Sequence, residues 1–224
     1  FSELGLPESF AGTSSLNVRS DDGYLIRGLV SFGEILLILK QSGIYYLSGS
    51  DEQSFQVRTL HDKHGCVAQH SVAVAEGFAF WFGGDNFYLT DGNRVNALGT
   101  TEVIDLIENI ASADYPLMQA EIYPEEGWYM CGIPVSGVIA RWVAYNYRSG
   151  DWHTMEWDAD AGAPQWLRGV LDRKGRPVVY GALSAAANDG HLYQFFEPDT
   201  ADDDQEPIAC SLRTKNYGFQ KEDD

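Results

Sequence analysis

Two short stretches carry residue types that bind metal ions in other proteins. His61–Cys66, with the sequence HDKHGC, offers two imidazoles, a carboxylate and a thiol within six residues, and all of these can be ligands of transition metals. The spacing matches no established ligand pattern, and Gly65 is typical of a turn, which favours a structural loop. Asp21–Gly23 (Asp-Asp-Gly) resembles part of a calcium loop, but the full spacing of such a loop is missing, so a turn is favoured there too.

Carboxylates dominate the charge of the chain. There are 33 acidic and 15 basic residues, which give a formal net charge of −18 and an isoelectric point near 4.4. Carboxylate pairs catalyse glycoside hydrolysis in many enzymes, yet no nucleophile elbow, triad or metal-ligand set accompanies them in this sequence. The sequence therefore predicts a protein that is not an enzyme and needs no cofactor. The same charge repels nucleic acid at long range, so tight binding of nucleic acid is not expected, although gliding past DNA without sticking is compatible with it; a merely solvated acidic surface is the alternative.

Cysteine usage and hydropathy limit the class of protein further. Cys66, Cys131 and Cys210 are odd in number and far apart, without a CxxC pair, so reduced and buried thiols are expected. Hydrophobic residues make up 44% of the chain. No apolar run approaches the roughly 18 residues that a membrane-spanning helix needs, so none is predicted. The chain begins Phe1-Ser2-Glu3, without Met or a leader, and we expect it to be a processed or excised piece of a longer chain.

The elements that position these residues are short strands. Three are predicted in succession at Ile26–Phe32, Ile35–Lys40 and Ile44–Ser48, because apolar runs of five to seven residues are separated by glycine-containing turns. The middle run is apolar throughout its first five residues rather than alternating, which is typical of a strand buried on both faces. Ser54–Leu60 alternates and is expected to be the outer strand of the same antiparallel meander.

The same pattern recurs three more times, in Gln69–Asp91, Gln119–Tyr147 and Leu167–Phe196. Each copy has a glycine at its first turn, and these glycines, spaced 44, 50 and 48 residues apart, are Gly33, Gly77, Gly127 and Gly175. Each copy also has an aromatic residue in its third strand: Tyr46, Tyr88, Tyr145 and Tyr193. A repeat of roughly 40 to 50 residues built from short strands is typical of propeller blades, although neither the WD nor the kelch signature fits.

We therefore predict an all-β fold, a single β-propeller-like domain over residues 1–224 with about four antiparallel blades and additional edge strands. The blades are expected at approximately residues 23–60, 66–99, 117–157 and 165–197. One short inserted helix is predicted over residues 101–111, where apolar residues fall at helical spacing and Thr100 or Thr101 can cap the N-terminus. The helix is expected to pack on sheet edges, with a role in binding a partner protein as the alternative. Pro207–Tyr217 is predicted to be one further strand.

Clustered aromatic residues are the candidates for contact with a partner. Trp81 and Phe82 end a strand just before two glycines, and Trp152 and Trp157 bound the fourth strand predicted for the third blade. Such side chains can stack on sugars or bases. The alternative, which is the commoner role, is that they fill the wedge between blades.

Several short motifs are shared with a known family. They are a Ser-x-x-Gly-x-Pro-x-x-Phe segment, a Gly-Leu-Val-x-Phe strand, a Gly-Cys-x-Ala-x-x-Ser segment and a Tyr-x-x-x-Ser-Gly-x-Trp turn. The residues that carry them are Ser2, Gly5, Pro7 and Phe10; Gly28, Leu29, Val30 and Phe32; Gly65, Cys66, Ala68 and Ser71; and Tyr145, Ser149, Gly150 and Trp152. In these motifs the chain resembles the propeller-like region of bacteriophage tail proteins, in particular the tail hub or nozzle proteins of short-tailed phages.

The resemblance implies a structural protein of the virion tail that assembles as a homo-oligomeric ring below the portal, with DNA passing through it. Its partners would be other tail proteins and portal or adaptor proteins, and the resemblance supplies no catalytic residue and no cofactor. Acidic side chains on a channel wall would lower the adhesion of DNA. The candidates for this wall are Asp158, Asp160, Asp202, Asp203 and Asp204. The alternative function is a β-propeller binding module that holds a glycan or a protein through Trp and Tyr side chains.

Overall fold

Antiparallel strands dominate the described part of the chain, which confirms the predicted all-β class. The computed structural model describes residues 2–3, 6–10, 15–51, 54–155, 157, 162–183 and 192–196. The chain divides into two compact units, Phe1–Gly99 and Thr100–Asp224, and each unit has its own sheets.

The first unit contains a hairpin and two four-stranded sheets. Its strands are β1 (Ser2–Glu3), β2 (Leu6–Phe10), β3 (Ile26–Phe32), β4 (Ile35–Lys40), β5 (Ile44–Ser48), β6 (Gln56–His61), β7 (Ala73–Ala75), β8 (Phe78–Phe82), β9 (Phe87–Thr90) and β10 (Val95–Ala97). β1 pairs with β2, sheet 1 has the order β3-β4-β5-β6, and sheet 2 has the order β7-β8-β9-β10. All of these pairs are antiparallel, so each sheet is a simple meander.

The second unit begins with the inserted helix and continues with two further sheets. Its elements are α1 (Thr101–Ile107), a 3-10 helix (Ser112–Leu117), β11 (Ala120–Tyr123), β12 (Trp128–Val135), β13 (Val138–Asn146), β14 (Trp152–Met155), β15 (Pro164–Leu171), β16 (Pro177–Leu183) and β17 (Tyr193–Phe195). Sheet 3 has the order β11-β12-β13-β14, and the described strands of sheet 4 have the order β15-β16-β17, again all antiparallel. The strand predicted at Pro207–Tyr217 lies outside the described residues.

The three strands predicted first are confirmed at their predicted bounds, as β3, β4 and β5. Residues 37–40 of β4 are at most 4% exposed, which confirms that this strand is buried on both faces. The outer strand β6 begins at Gln56 rather than at Ser54. The reason is a turn, in which the Ser54 hydroxyl accepts hydrogen bonds from the amides of Ser50 and Asp51, both at 3.0 Å.

The repeated glycines close the first hairpin of every sheet. Their φ angles are +58°, +83°, +72° and +78° for Gly33, Gly77, Gly127 and Gly175. This left-handed conformation is disfavoured for residues with a Cβ atom, which is why glycine marks the turn. The repeated tyrosines lie in β5, β9, β13 and β17, paired across the sheet with Leu37, Trp81, Tyr129 and Gly181. The sequence repeat therefore corresponds to one antiparallel meander per sheet.

The predicted helix is confirmed at its start but is shorter than residues 101–111. Thr100 has the extended conformation of an N-cap residue. At the other end the amide of Ile110 donates to the carbonyl of Ile107, and this i→i+3 bond tightens the chain and ends the helix. Val103, Ile107 and Ile110 are buried, as the apolar spacing predicts. Of the helices described, none is long and apolar enough to cross a membrane.

Each unit has an apolar core between its two sheets. The core of the first unit is formed by Leu37, Leu39, Ile44, Cys66, Ala79, Trp81 and Tyr88. The core of the second unit is formed by Tyr123, Met130, Ile139, Trp142, Ala144, Ala163, Leu167 and Val179. In both units the sheets thus bury facing apolar side chains, the arrangement expected of stacked antiparallel sheets.

Candidate functional site

The two histidines of the HDKHGC stretch belong to a stack of rings. The rings of His61 and His64 stack with centroids 5.4 Å apart, and the ring of His64 stacks on that of Tyr88 at 4.8 Å. The Tyr88 hydroxyl lies 2.8 Å from Nδ1 of His64 and 3.0 and 3.1 Å from the two carboxylate oxygens of Asp85. Because the carboxylate only accepts, the phenol donates to Asp85, and the Nδ1–H of His64 donates to the phenol oxygen.

The thiol of the same stretch points elsewhere. Cys66 is completely buried, and its Sγ donates to the carbonyl oxygen of Ala68 at 3.2 Å. Burial raises the pKa of Cys66 to about 12, so the thiol is neutral at physiological pH. Within the described ranges, no group of three or more His, Cys, Asp or Glu side chains is placed to hold a metal ion. The imidazoles and the thiol of the stretch are therefore engaged in ring stacking, hydrogen bonding and burial.

Protonation in this cluster is governed by burial. Burial, followed by the charge of Asp85, raises the pKa of Tyr88, so its hydroxyl keeps its proton. Burial, followed by the neighbouring imidazole of His64, lowers the pKa of His61. The protonated phenol of Tyr88 hydrogen-bonds to both Asp85 and His64, and it thereby joins the β8–β9 turn to the loop that follows β6.

The Asp-Asp-Gly stretch is organised by a buried lysine. Lys40 is 2% exposed, and its Nζ donates to Asp22 Oδ1 at 2.6 Å and to the carbonyl oxygens of Val18 and Arg19 at 3.0 and 2.8 Å. The other oxygen of Asp22 accepts from the Ser42 hydroxyl at 2.6 Å. Lys40, followed by Ser42, lowers the pKa of Asp22 from 3.8 to about 2. All three ammonium protons of Lys40 are used, so this pair fastens the preceding loop to sheet 1.

Sequence reasoning did not identify the pair of Lys40 and Asp22. A signal was available, because Lys40 ends a run that is otherwise apolar at every position, and a buried lysine needs an acidic partner. The partner lies 18 residues away in the chain, which no local pattern reveals.

Polar side chains tie sheet 3 to sheet 4 in the second unit. Gln165 of β15 reaches Ile139 of β13: its Oε1 accepts from the Ile139 amide at 3.0 Å, and its Nε2 donates to the Ile139 carbonyl at 2.9 Å. The indole Nε1 of Trp142 donates to the carbonyl of Pro164 at 2.8 Å. Burial raises the pKa of Glu121 of β11, whose carboxylate lies 3.6 Å from the guanidinium of Arg168 of β15. These contacts make the sheet interface specific in register as well as apolar.

Aromatic rings cluster at one place in the second unit, where Tyr123 is buried and Trp128, His153 and Phe196 are half-buried. The Trp128 ring lies 6.1 Å from Tyr123, 6.2 Å from His153 and 5.7 Å from Phe196. Tyr123 and Phe196 stack at 5.2 Å, and the Tyr123 hydroxyl donates to the Glu125 carboxylate at 2.9 Å. Ring faces beside a carboxylate form a combination that can hold a flat ligand with hydroxyl groups.

The four aromatic candidates for partner contact have different environments. Trp81 and Phe82 are 0% exposed, so they are core residues and offer no surface to a partner. Trp152 is half-buried beside the ring of Tyr145, and Trp157 is half-buried with its ring edge-on to Phe195 at 5.2 Å. The channel-lining candidates Asp158, Asp160, Asp202, Asp203 and Asp204 lie outside the described residues.

Two surface features were not singled out from the sequence. The first is a cleft of about 270 Å³ in sheet 1, lined chiefly by Ser31, Glu34, Ile35, Leu36, Leu47 and Phe55. The second is the hairpin between β15 and β16, where Leu171 is 72% exposed beside the exposed Arg173 and Lys174. The run RKGR was the available signal for the second feature, because basic residues are scarce in this chain.

Comparison with models of known protein families finds no match, and a search of curated protein sequences finds none either. The resemblance to phage tail proteins therefore rests on the short motifs of the sequence. Among those motifs, Gly65 and Cys66 lie in the loop between sheets 1 and 2, and Tyr145 and Trp152 lie on adjacent strands of sheet 3 with their rings 5.1 Å apart.

Proposed function

We propose that the four sheets are successive blades of a β-propeller and that the chain is a structural component of a bacteriophage tail, of the hub or nozzle type. The observation that supports this proposal is the fourfold repetition of one meander, with a left-handed glycine at the first turn of each sheet. Blades with this topology stack face to face around an axis. The motifs shared with phage tail proteins lie at different positions relative to this repeat: one on β3, one between sheets 1 and 2, and one at the turn between β13 and β14.

The polar side chains of the described residues join structural elements to one another, as expected of a structural protein. Asp22, Tyr88, Glu121 and Gln165 contact neighbouring loops or strands, at Lys40, His64, Arg168 and Ile139, rather than converging on one space where a substrate could react. Such contacts favour a single rigid arrangement of sheets, which is what a ring-forming subunit needs. The net charge of −18 would give the ring an acidic surface, past which DNA slides without adhering.

The experiment that tests this function is native mass spectrometry of the chain combined with electron microscopy of any rings. A closed homo-oligomer, or density for this chain below the portal of a tailed particle, is the expected result. A protein that stays monomeric and is absent from tailed particles of the virus that encodes it would contradict the tail function.

The second candidate function is a module that binds a glycan, and the aromatic cluster around Trp128 is the observation in its favour. On this alternative, a glycan array gives a specific signal, and ligand binding changes the fluorescence of the wild-type protein. Trp128→Ala would abolish the binding, whereas Trp152→Ala, at a half-buried tryptophan outside the cluster, would retain it. Equal binding by both variants would place the ligand away from the cluster.

A further inference from the structure

We infer that the β15–β16 hairpin of one copy of this chain docks into the cleft of sheet 1 on a second copy. The inference rests on the proposed ring assembly and names the surfaces that would form its repeating contact. A contact between two different surfaces of identical chains is heterologous, and such contacts generate closed rings when the rotation between copies closes.

The hairpin presents an apolar residue between cations. Leu171 is 72% exposed and the adjacent Val170 is 44% exposed, far more than most large apolar residues of a packed protein. Four of the 15 basic residues of the chain lie within nine positions here: Arg168, Arg173, Lys174 and Arg176. Arg168 and Arg176 are paired with Glu121 and Asp172, so Arg173 and Lys174 are the cations offered to a partner. An exposed leucine flanked by cations, on a chain with a net charge of −18, is suited to an acidic partner that also offers apolar surface.

The tip of this hairpin is held in one shape. Asp172 Oδ1 accepts from the amides of Lys174 and Arg176 at 2.7 and 2.9 Å, and its Oδ2 accepts from the Arg176 guanidinium at 2.8 Å. The backbone bond from Asp172 N to Arg176 O, at 2.8 Å, closes the turn, with Gly175 at φ +78°. A preorganised tip loses little conformational entropy when it binds.

The cleft on sheet 1 has the complementary character. Its apolar side chains are those of Leu36, Leu47 and Phe55, and its charged lining residue is the exposed Glu34. Ser31, Leu36 and Leu47 are paired across the sheet, so their side chains lie on one face. Leu29, two residues before Ser31 on β3, lies on the same face and is 59% exposed, which extends the apolar surface beyond the cleft.

Complementarity of both charge and polarity favours a second copy as the occupant. Leu171 would enter the apolar cleft, while Arg173 and Lys174 would approach Glu34. A nucleic acid would satisfy the cations but would leave Leu171 without an apolar partner. The cleft offers both, because the apolar side chains of Leu36, Leu47 and Phe55 lie beside the carboxylate of Glu34.

The test is self-association of the full chain, measured by sedimentation velocity and native mass spectrometry over a range of concentrations. The wild type is expected to associate, more weakly at high salt because exposed charges take part. Leu171→Asp and Glu34→Arg are each expected to weaken association at least tenfold. Matched controls, Val135→Asp at the exposed tip of the β12–β13 hairpin and Glu108→Arg at the end of α1, are expected to associate like the wild type.

A mixing experiment distinguishes this contact from a general effect of charge. Arg173→Glu/Lys174→Glu carries an acidic tip, and Glu34→Arg carries a basic cleft, so each is expected to associate poorly alone. Mixed together, the acidic tip of the first variant meets the basic cleft of the second, and a hetero-oligomer is expected to form. Circular dichroism of each variant checks that its sheets are intact.

The outcomes separate this contact from the tail function. Wild-type association that survives Leu171→Asp and Glu34→Arg would overturn the contact, whereas a closed ring seen under the microscope would still support the tail function. A wild type that is monomeric at its highest soluble concentration and at low salt would overturn the contact as well. The tail function would then be decided by whether the chain is present in tailed particles.

Discussion

The side chain of Gln165 should contribute several times as much to the free energy of unfolding as an average surface side chain, because it joins sheet 3 to sheet 4 through hydrogen bonds to the backbone. Its amide makes three hydrogen bonds to backbone groups: one from Ile139 N, one to Ile139 O and one to Ala163 O, at 3.0, 2.9 and 3.1 Å. Ile139 is 4% exposed, so water cannot easily replace the lost partners. We therefore consider the variant Gln165→Ala.

The expected cost follows from these three bonds. Each contributes about 0.5–1.5 kcal/mol net, and leaving buried backbone groups without partners adds to the loss. Gln165→Ala should therefore lower the free energy of unfolding by about 2–4 kcal/mol. Gln194→Ala is the matched control, because Gln194 is also half-buried but accepts only one described side-chain bond, from the Tyr180 hydroxyl at 3.1 Å, so a loss of about 1 kcal/mol is expected.

The assay combines urea unfolding with hydrogen exchange. Two compact units can unfold in separate transitions, so a single midpoint would not report on the second unit alone. The amide of Ile139 reports directly, since its acceptor is Gln165 Oε1, and its exchange should accelerate in Gln165→Ala but not in Gln194→Ala. Unchanged exchange at Ile139, together with an unfolding free energy within about 0.5 kcal/mol of the wild type, would refute the reasoning.

Three further predictions concern the first unit and the thiols. A Cβ atom on Gly65 would overlap backbone atoms of Lys40 and Gln41, so Gly65→Ala should lower the free energy of unfolding in urea by about 1–3 kcal/mol. Gly77→Ala is the control and should cost about 1 kcal/mol, because the space around Gly77 is open and only its left-handed backbone is strained. A larger loss for Gly77→Ala than for Gly65→Ala would contradict this geometry. Because the pKa of Asp22 is lowered from 3.8 to about 2, its contribution to stability is present above its ordinary pKa and is lost as the pH falls towards 2. The difference in denaturation midpoint between the wild type and Asp22→Asn should therefore shrink over that pH range. A difference that stays constant would argue against the ion pair. The buried thiols of Cys66 and Cys131 should react with a thiol reagent only after denaturation, and rapid labelling of either in the folded chain would show that its environment is open.

Local patterns were sufficient to predict the strands of sheet 1. Glycine can adopt the left-handed turn that L side chains avoid, so Gly33 marks the hairpin between β3 and β4. The unbroken apolar run of β4 predicted burial on both faces, and residues 37–40 are buried. The start of α1 was predicted equally well, because its N-cap and its apolar spacing are local features.

The contacts of the candidate site depend on partners distant in the chain, and these could not be predicted. Gln165 and Ile139 are 26 residues apart, and Lys40 and Asp22 are 18 apart. Residue type did not reveal exposure either: Trp81 and Phe82 were candidates for partner contact and are fully buried, whereas Leu171 is an aliphatic residue and is largely exposed. Which face of a strand meets another sheet is decided by tertiary packing rather than by composition.

The strictly sequential pairing of strands has a consequence for how the chain is made. Every hydrogen-bonded pair of described strands joins consecutive strands, so each sheet needs only about 40 residues of chain to complete its own ladder. Sheet 1 can therefore form while sheet 2 is still being synthesised, and its Leu37 and Leu39 face then stays open until Trp81 emerges from the ribosome. The rate of translation between Lys40 and Trp81 thus determines how long the apolar face of Leu37 and Leu39 is exposed. Slower synthesis of this segment should therefore increase aggregation of the nascent chain.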